Sequence, residues 1–111
     1  MKPEFQKLII DIKVSDLARA VRFYEDTLGL SLIRRAEDWA SFEAAGAEIH
    51  LYLRGGVTEG VEFRVKDIEA AISELKARGV VFETPAIEQF AWGKMAKFKD
   101  SEGNTLALVE D

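Results

Sequence analysis

The sequence predicts an α+β fold made of two tandem β-α-β-β-β modules. Two observations predict it: an apolar–polar alternation that leads into a capped helix near the start of the chain, and the recurrence of that succession in the second half. With 111 residues the chain has the usual length of one domain and is too short for two independent cores. We therefore expect a single domain, 1–111, whose modules at about 5–54 and 57–111 pack against one another.

The first module begins with a strand that continues into a helix. The strand is predicted from apolar residues at every second position, namely Leu8, Ile10, Ile12 and Val14. Asp16 follows as a helix N-cap, and Gly29 ends the helical spacing of apolar residues. Three further strands are expected, at 30–35, 38–44 and 47–53.

The second module repeats this pattern after a shift of 51 residues, which carries Ile10 onto Val61. Asp67 again precedes a helix as its N-cap, and Gly79 ends that helix. Three further strands are expected, at 80–84, 93–99 and 104–110. Segment 85–92 fits neither the strand period nor the helix period and is predicted to be a loop.

The composition excludes several classes of function. A net charge of −5 makes duplex nucleic acid and anionic membranes poor partners, whereas it favours neutral or cationic small molecules. The absence of cysteine excludes disulfides, thiolate zinc sites and thiol nucleophiles. No signal peptide and no membrane span are predicted, so we expect a cytoplasmic protein.

Five short motifs give the sequence a family resemblance. They are Val14-Ser15-Asp16-Leu17, Phe23-Tyr24, Leu28-Gly29-Leu30, Trp92-Gly93, and Asp100 with Gly103-Asn104. In this order they resemble the vicinal oxygen chelate superfamily of glyoxalase I, fosfomycin- and bleomycin-resistance proteins and extradiol dioxygenases. The resemblance implies curved mixed sheets of the glyoxalase/bleomycin-resistance type. It also implies a homodimer whose cavities form where modules of two subunits meet.

The resemblance further implies where a divalent metal is bound in the enzymes of this superfamily. The four ligand positions, one on the first and one on the last strand of each module, carry Ile9, His50, Gly60 and Ala107 here. Only His50 has a donor atom, whereas a catalytic site needs about three protein ligands and an open position. We therefore expect no metal, no cofactor and no catalytic residue.

An improvised metal site stays open as an alternative. Because side chains two residues apart share a face of a strand, Asp11, Glu48, His50 and Glu62 can lie on the same sheet surface as the lost ligands. The competing interpretation is that Lys13 and Arg64, two residues beyond the acids, form cross-strand ion pairs with them.

Aromatic and charged side chains on this predicted surface are candidates for binding a ligand. The candidates are Asp11, Lys13, Trp39, Glu48, His50, Tyr52, Glu62, Arg64, Trp92, Met95 and Lys97. Flat aromatic rings offer apolar area and cation–π faces to a bound ring or amine. The competing interpretation of the two tryptophans is purely structural, as plugs of the sheet ends or of a dimer seam.

The sequence thus predicts a non-enzymatic, small-molecule-binding protein of the bleomycin-resistance type, with its ligand held at a dimer interface. One alternative is a metal-dependent lyase or isomerase of the glyoxalase type with a non-standard metal site. Another is a protein–protein interaction module that has lost the pocket. No phosphate-binding glycine loop and no serine nucleophile motif is present to indicate other chemistry.

Overall fold

The computed structural model describes residues 1–111, which divide into two compact units. Unit one is Met1–Val57 and unit two is Thr58–Asp111. Each unit contains one four-stranded mixed sheet and one helix packed on it. The predicted α+β fold of two β-α-β-β-β modules is confirmed.

Unit one has its strands in the order β1-β4-β3-β2. Its elements are β1 (Ile9–Lys13), α1 (Leu17–Arg22), a π-helical segment (Phe23–Thr27), β2 (Ser31–Arg35), β3 (Trp39–Ala44) and β4 (Ala47–Tyr52). Strands β1 and β4 are parallel because the helix crosses over between β1 and the rest of the sheet, whereas the other pairs are antiparallel.

Unit two has the corresponding order β5-β8-β7-β6. Its elements are β5 (Val61–Arg64), α2 (Ile68–Ala77), β6 (Glu88–Phe90), β7 (Gly93–Lys99) and β8 (Thr105–Glu110). Strands β5 and β8 are parallel, and the remaining pairs are antiparallel. The same topology in both units is what the internal repeat predicts. Neither helix has the length and apolar character needed to cross a membrane.

The two helices begin where the aspartates predicted them. The side chain of Asp16 accepts a hydrogen bond from the backbone N–H of Arg19 at 3.0 Å. Asp67 accepts one from the N–H of Ala70 at 3.1 Å. Each bond satisfies a helix N–H that has no partner within the helix, which stabilises a helix by about 1 kcal/mol.

The predicted strand at 80–84 is wrong, and the fourth strand of unit two lies in the segment predicted as a loop. Phe82 makes only an isolated bridge to Phe98. The residues before Pro85 alternate between buried and exposed positions, which explains the strand-like pattern of the sequence. They nevertheless form no continuous ladder of backbone hydrogen bonds with a neighbouring strand. Strand β6 is exposed at every position, so it has no apolar alternation by which the sequence could reveal it.

Each sheet buries one face beneath its helix. In unit one the buried face includes Ile12, Phe42 and Leu51, none of which is more than 1% exposed. Because strand side chains alternate, the intervening residues lie on the face opposite the helix. We call this opposite face the polar face of each unit, since it carries most of the charged candidate residues.

Candidate functional site

The polar face of unit one carries six of the predicted ligand-binding residues. They are Asp11 and Lys13 on β1, Trp39 on β3, and Glu48, His50 and Tyr52 on β4. The strand register places Asp11 beside His50 and Lys13 beside Tyr52. In the antiparallel pair, Trp39 is opposite Tyr52. His50 is therefore at the centre of one continuous patch that includes four of the other side chains, and Lys13 lies at the edge of this patch.

His50 lies between two carboxylates. Its Nε2 is 3.0 Å from Oε1 of Glu48, and its Nδ1 is 3.9 Å from Oδ1 of Asp11. The imidazole thus has a hydrogen-bond partner on the same strand and an acid on the neighbouring strand. These two contacts fix the orientation of the ring.

Glu48 is held in its ionised form. Its hydrogen bond with His50 is the largest of the effects that lower the pKa of Glu48, and the charge of Lys7 adds to it. Partial burial acts in the opposite direction. Lys7 lies 3.7 Å from Oε2 of Glu48 and 3.4 Å from Oε2 of Glu43. Lys7 and Glu43 extend the charged patch beyond the residues predicted from the sequence.

Trp39 stacks on His50 and forms one wall of a cleft. The ring centroids are 5.6 Å apart and the planes differ by 20°. The cleft has a volume of about 380 Å³ and is lined by Asp11, Asp38, Trp39, His50 and Tyr52. Asp38 was missed in the sequence analysis, although its position beside Trp39 could have indicated it. Two acids and an indole in one cleft suit a planar or cationic ligand.

A second cleft lies on the polar face of unit two. It has a volume of about 270 Å³, and Glu62, Met95, Lys97 and Ala107 contribute to its lining. Ala107 on β8 is flanked by Glu62 on β5 and by Lys97 on β7, so the three form one row across the sheet. The small alanine between two long side chains leaves a hollow in that row.

Arg64 lies in the next row of the same sheet and does not line the second cleft. It is paired with Val109 of β8 in the register, and Met95 is opposite Val109 on the other side. The guanidinium Nε of Arg64 is 3.1 Å from Oδ1 of Asp111. Under the alternative that Arg64 pairs with an acid rather than binding a ligand, its partner is therefore Asp111 and not one of the acids of the predicted surface.

Trp92 lies in the two-residue turn between β6 and β7. Its ring stacks on Phe90 with centroids 5.4 Å apart and planes within 5° of parallel. Trp92 is 50% exposed and Phe90 is 40% exposed. The partner Phe90 was missed, although an aromatic residue two positions before Trp92 is visible in the sequence. The pair is an exposed aromatic surface at the end of a hairpin, outside both clefts.

The residues at the four metal positions of the family do not fit a catalytic divalent metal. Ile9 lies at the start of β1, while Gly60 and Ala107 line the second cleft, and none of the three has a donor side chain. No group of three or more His, Asp or Glu side chains is arranged to hold a metal ion. The acids beside His50 contact different ring nitrogens, so they do not converge with one nitrogen on a common point.

Comparison with known proteins agrees with this fold. The sequence model described as "Glyoxalase/Bleomycin resistance protein/Dioxygenase superfamily" matches residues 8–108. A probable lactoylglutathione lyase of Vibrio cholerae is 26% identical over an alignment of 119 positions, gaps included, which covers 90% of this chain and 86% of the relative.

Two solved structures share the fold of this chain. TnmS3, an antibiotic binding protein from Streptomyces sp. CB03234, superposes with a TM-score of 0.81 at 26% identity. The superposition covers 99% of this chain and 98% of the TnmS3 chain. Lactoylglutathione lyase from Agrobacterium tumefaciens superposes with a TM-score of 0.84 at 18% identity, and the superposition covers 98% of this chain and 96% of that protein's chain. At this low identity the likeness is evidence for a shared fold only. The chain thus belongs to the glyoxalase/bleomycin resistance protein/dioxygenase superfamily.

Proposed function

We propose that this protein binds a small molecule without transforming it, in the manner of the bleomycin-resistance-type members of its superfamily. The observation that carries the proposal is that the polar faces combine clefts suited to a ligand with metal positions that mostly lack donor side chains. They keep clefts with aromatic and charged walls, whereas three of the four metal positions carry Ile9, Gly60 and Ala107. The full-length similarity to the antibiotic binding protein TnmS3 supports the same function.

The cleft of unit one favours a planar ligand with a cationic group. Trp39 and Tyr52 supply aromatic surface, and the carboxylate of Asp11 supplies negative charge at the same cleft. Asp11 is the more available acid, because its side chain is 58% exposed and its contact with His50 is long, at 3.9 Å. A cation at this carboxylate and a ring on the indole can therefore be bound together.

The ligand is proposed to bind in a homodimer, as the family resemblance implies. Ile9 is 51% exposed at the edge of the polar face of unit one, which leaves apolar surface for a second copy to cover. Val109, which lies on the polar face of unit two, is only 8% exposed and adds nothing to this surface.

Tryptophan fluorescence tests the proposal directly. A library of planar aromatic amines, including bleomycin-like glycopeptides, is titrated into the wild-type protein and into the Trp39→Leu and Trp92→Leu variants. We expect saturable quenching for at least one compound, and Trp39→Leu should weaken its binding by about 1–3 kcal/mol, whereas Trp92→Leu is the matched control. Binding that is absent below millimolar concentration, or indifferent to Trp39, would contradict the proposed site.

A second candidate is a metal-dependent lyase or isomerase with a non-standard metal site. It is favoured by the 26% identity to a probable lactoylglutathione lyase and by His50, which occupies one of the family's ligand positions. The test is formation of lactoylglutathione by the protein with added Zn²⁺, Ni²⁺ or Mn²⁺. Turnover that requires the metal and is lost in His50→Ala would replace the binding function by this one.

A further inference from the structure

The two polar faces differ in how their charges are paired. In unit one, His50 contacts both Asp11 and Glu48, and Glu48 also lies near Lys7. In unit two, the side chains of Glu62 and Lys97 line the same cleft, and neither forms an ion pair or a hydrogen bond. Glu62 and Lys97 are thus an acid and a base in one cleft that the unit itself leaves unpaired.

The strand register explains why these two charges stay apart. Glu62 and Lys97 are both neighbours of Ala107, on opposite sides of β8. Two interstrand spacings separate their backbones, which is about 10 Å. The methyl group of Ala107 fills little of the space between them. The result is a short trough with a negative end on β5 and a positive end on β7.

Other residues of the cleft strengthen this polarity. Glu59 lines the cleft near the start of β5 and adds a second carboxylate at the negative end. Lys97 is half-buried, and its ammonium group has no protein partner. Met95 supplies an apolar surface next to it. The volume of about 270 Å³ is slightly below the range for drug-sized ligands, which indicates a small compound.

We propose that the cleft of unit two binds a small zwitterion, an amine-bearing carboxylic acid whose ammonium group pairs with Glu62 and whose carboxylate pairs with Lys97. This inference rests on the proposed binding function and names a ligand class for the second cleft. A zwitterion satisfies both charges at once, whereas a simple amine or a simple carboxylate leaves one of them without a partner. The apolar floor between the charges suits the methylene chain that joins the two groups of the ligand.

The test uses ω-amino acids as probes on the full-length protein. Amide resonances are followed by NMR while 3-aminopropanoate, 4-aminobutanoate and 6-aminohexanoate are added in separate titrations. Hexylamine and hexanoate are the controls that carry only one of the two charges. We expect one zwitterion to shift resonances of β5, β7 and β8 saturably, and to bind at least fivefold more tightly than either control compound.

Variants assign the two charged contacts. Glu62→Gln and Lys97→Gln should each weaken binding of the best zwitterion at least fivefold. Glu83→Gln and Lys66→Gln, which remove exposed charges outside the cleft, should change it less than twofold. The exchanged variant Glu62→Lys/Lys97→Glu should restore binding, because a zwitterion fits the reversed trough in the opposite direction.

The outcomes separate this inference from the function on which it rests. Equal affinity for the zwitterion and for both control compounds, or no loss in either glutamine variant, would overturn the zwitterion site. If planar cations still bind at Trp39 while no zwitterion moves the resonances of unit two, only the zwitterion site is refuted. If neither class of compound binds, the proposed binding function is refuted with it.

Discussion

Gly93 is the position at which a single methyl group should disturb this protein most clearly. Its φ is +151°, a conformation that residues with a side chain rarely adopt. A Cβ atom added there would overlap the carbonyl oxygen of Glu110 and lie 2.9 Å from the Cα of Asp111. Both neighbours are backbone at the end of β8, so they cannot move aside as a flexible side chain does.

The expected cost of Gly93→Ala has two parts. Holding a non-glycine residue at this φ costs about 1–3 kcal/mol. Displacing packed backbone to admit the methyl group costs about 1–3 kcal/mol more. The displaced segment also matters to α2, because the side chain of Glu110 accepts a hydrogen bond from the N–H of Ile68 at 2.8 Å. We therefore expect a loss of about 2–6 kcal/mol in the free energy of unfolding.

Gly103→Ala is the matched control. Gly103 also has a positive φ, +84°, but an added Cβ would meet nothing within 4 Å. The free energy of unfolding of this variant should fall only by the cost of the backbone conformation, about 1–2 kcal/mol. Urea denaturation of both variants and of the wild type gives the two losses directly. If Gly93→Ala destabilises the protein no more than Gly103→Ala does, the close approach of β8 to Gly93 is not an energetic constraint and the reasoning is refuted.

Three further predictions concern metal, pH and assembly. Added Zn²⁺, Ni²⁺ or Mn²⁺ should leave the melting temperature unchanged. A metal bound at a specific site, at a concentration of 100 times its Kd, would instead raise the free energy of unfolding by about 2.7 kcal/mol. A saturable rise in melting temperature that disappears in His50→Ala would contradict this prediction. The folded-state pKa of Glu48 is lowered by its hydrogen bond with His50, so its ionised form contributes stability above its ordinary pKa of 4.5, and this contribution is lost as the pH falls further. The free energies of unfolding of wild type and Glu48→Gln, measured by urea denaturation, should therefore differ most near neutral pH and converge in acid. A difference that does not change with pH would refute the stabilising role of ionised Glu48. Sedimentation at micromolar concentration should show a dimer of the 12.4 kDa chain, and a purely monomeric species would count against the proposed assembly.

Local patterns in the sequence were enough to predict most of the fold. Period-2 alternation predicts β1 and β5, since one face of each strand is buried under a helix. Asp16 and Asp67 predict the helix starts because an N-cap acts within three residues of itself. Strand β6 was missed because all three of its residues are exposed, and its pairing depends on β7 rather than on its own composition.

For the candidate site, alternation along each strand was enough to predict which residue types share a face of that strand. Alternation groups Asp11, His50 and Tyr52 in the first module and Glu62 and Lys97 in the second, but it also led us to expect Glu62 on the same surface as Asp11 and His50. The structure instead places these two groups of residues in separate sheets. Which of these charges form pairs could not be predicted from alternation within one strand. Register across strands, which depends on residues far apart in the chain, puts His50 within reach of Asp11 but separates Glu62 from Lys97 by a whole strand.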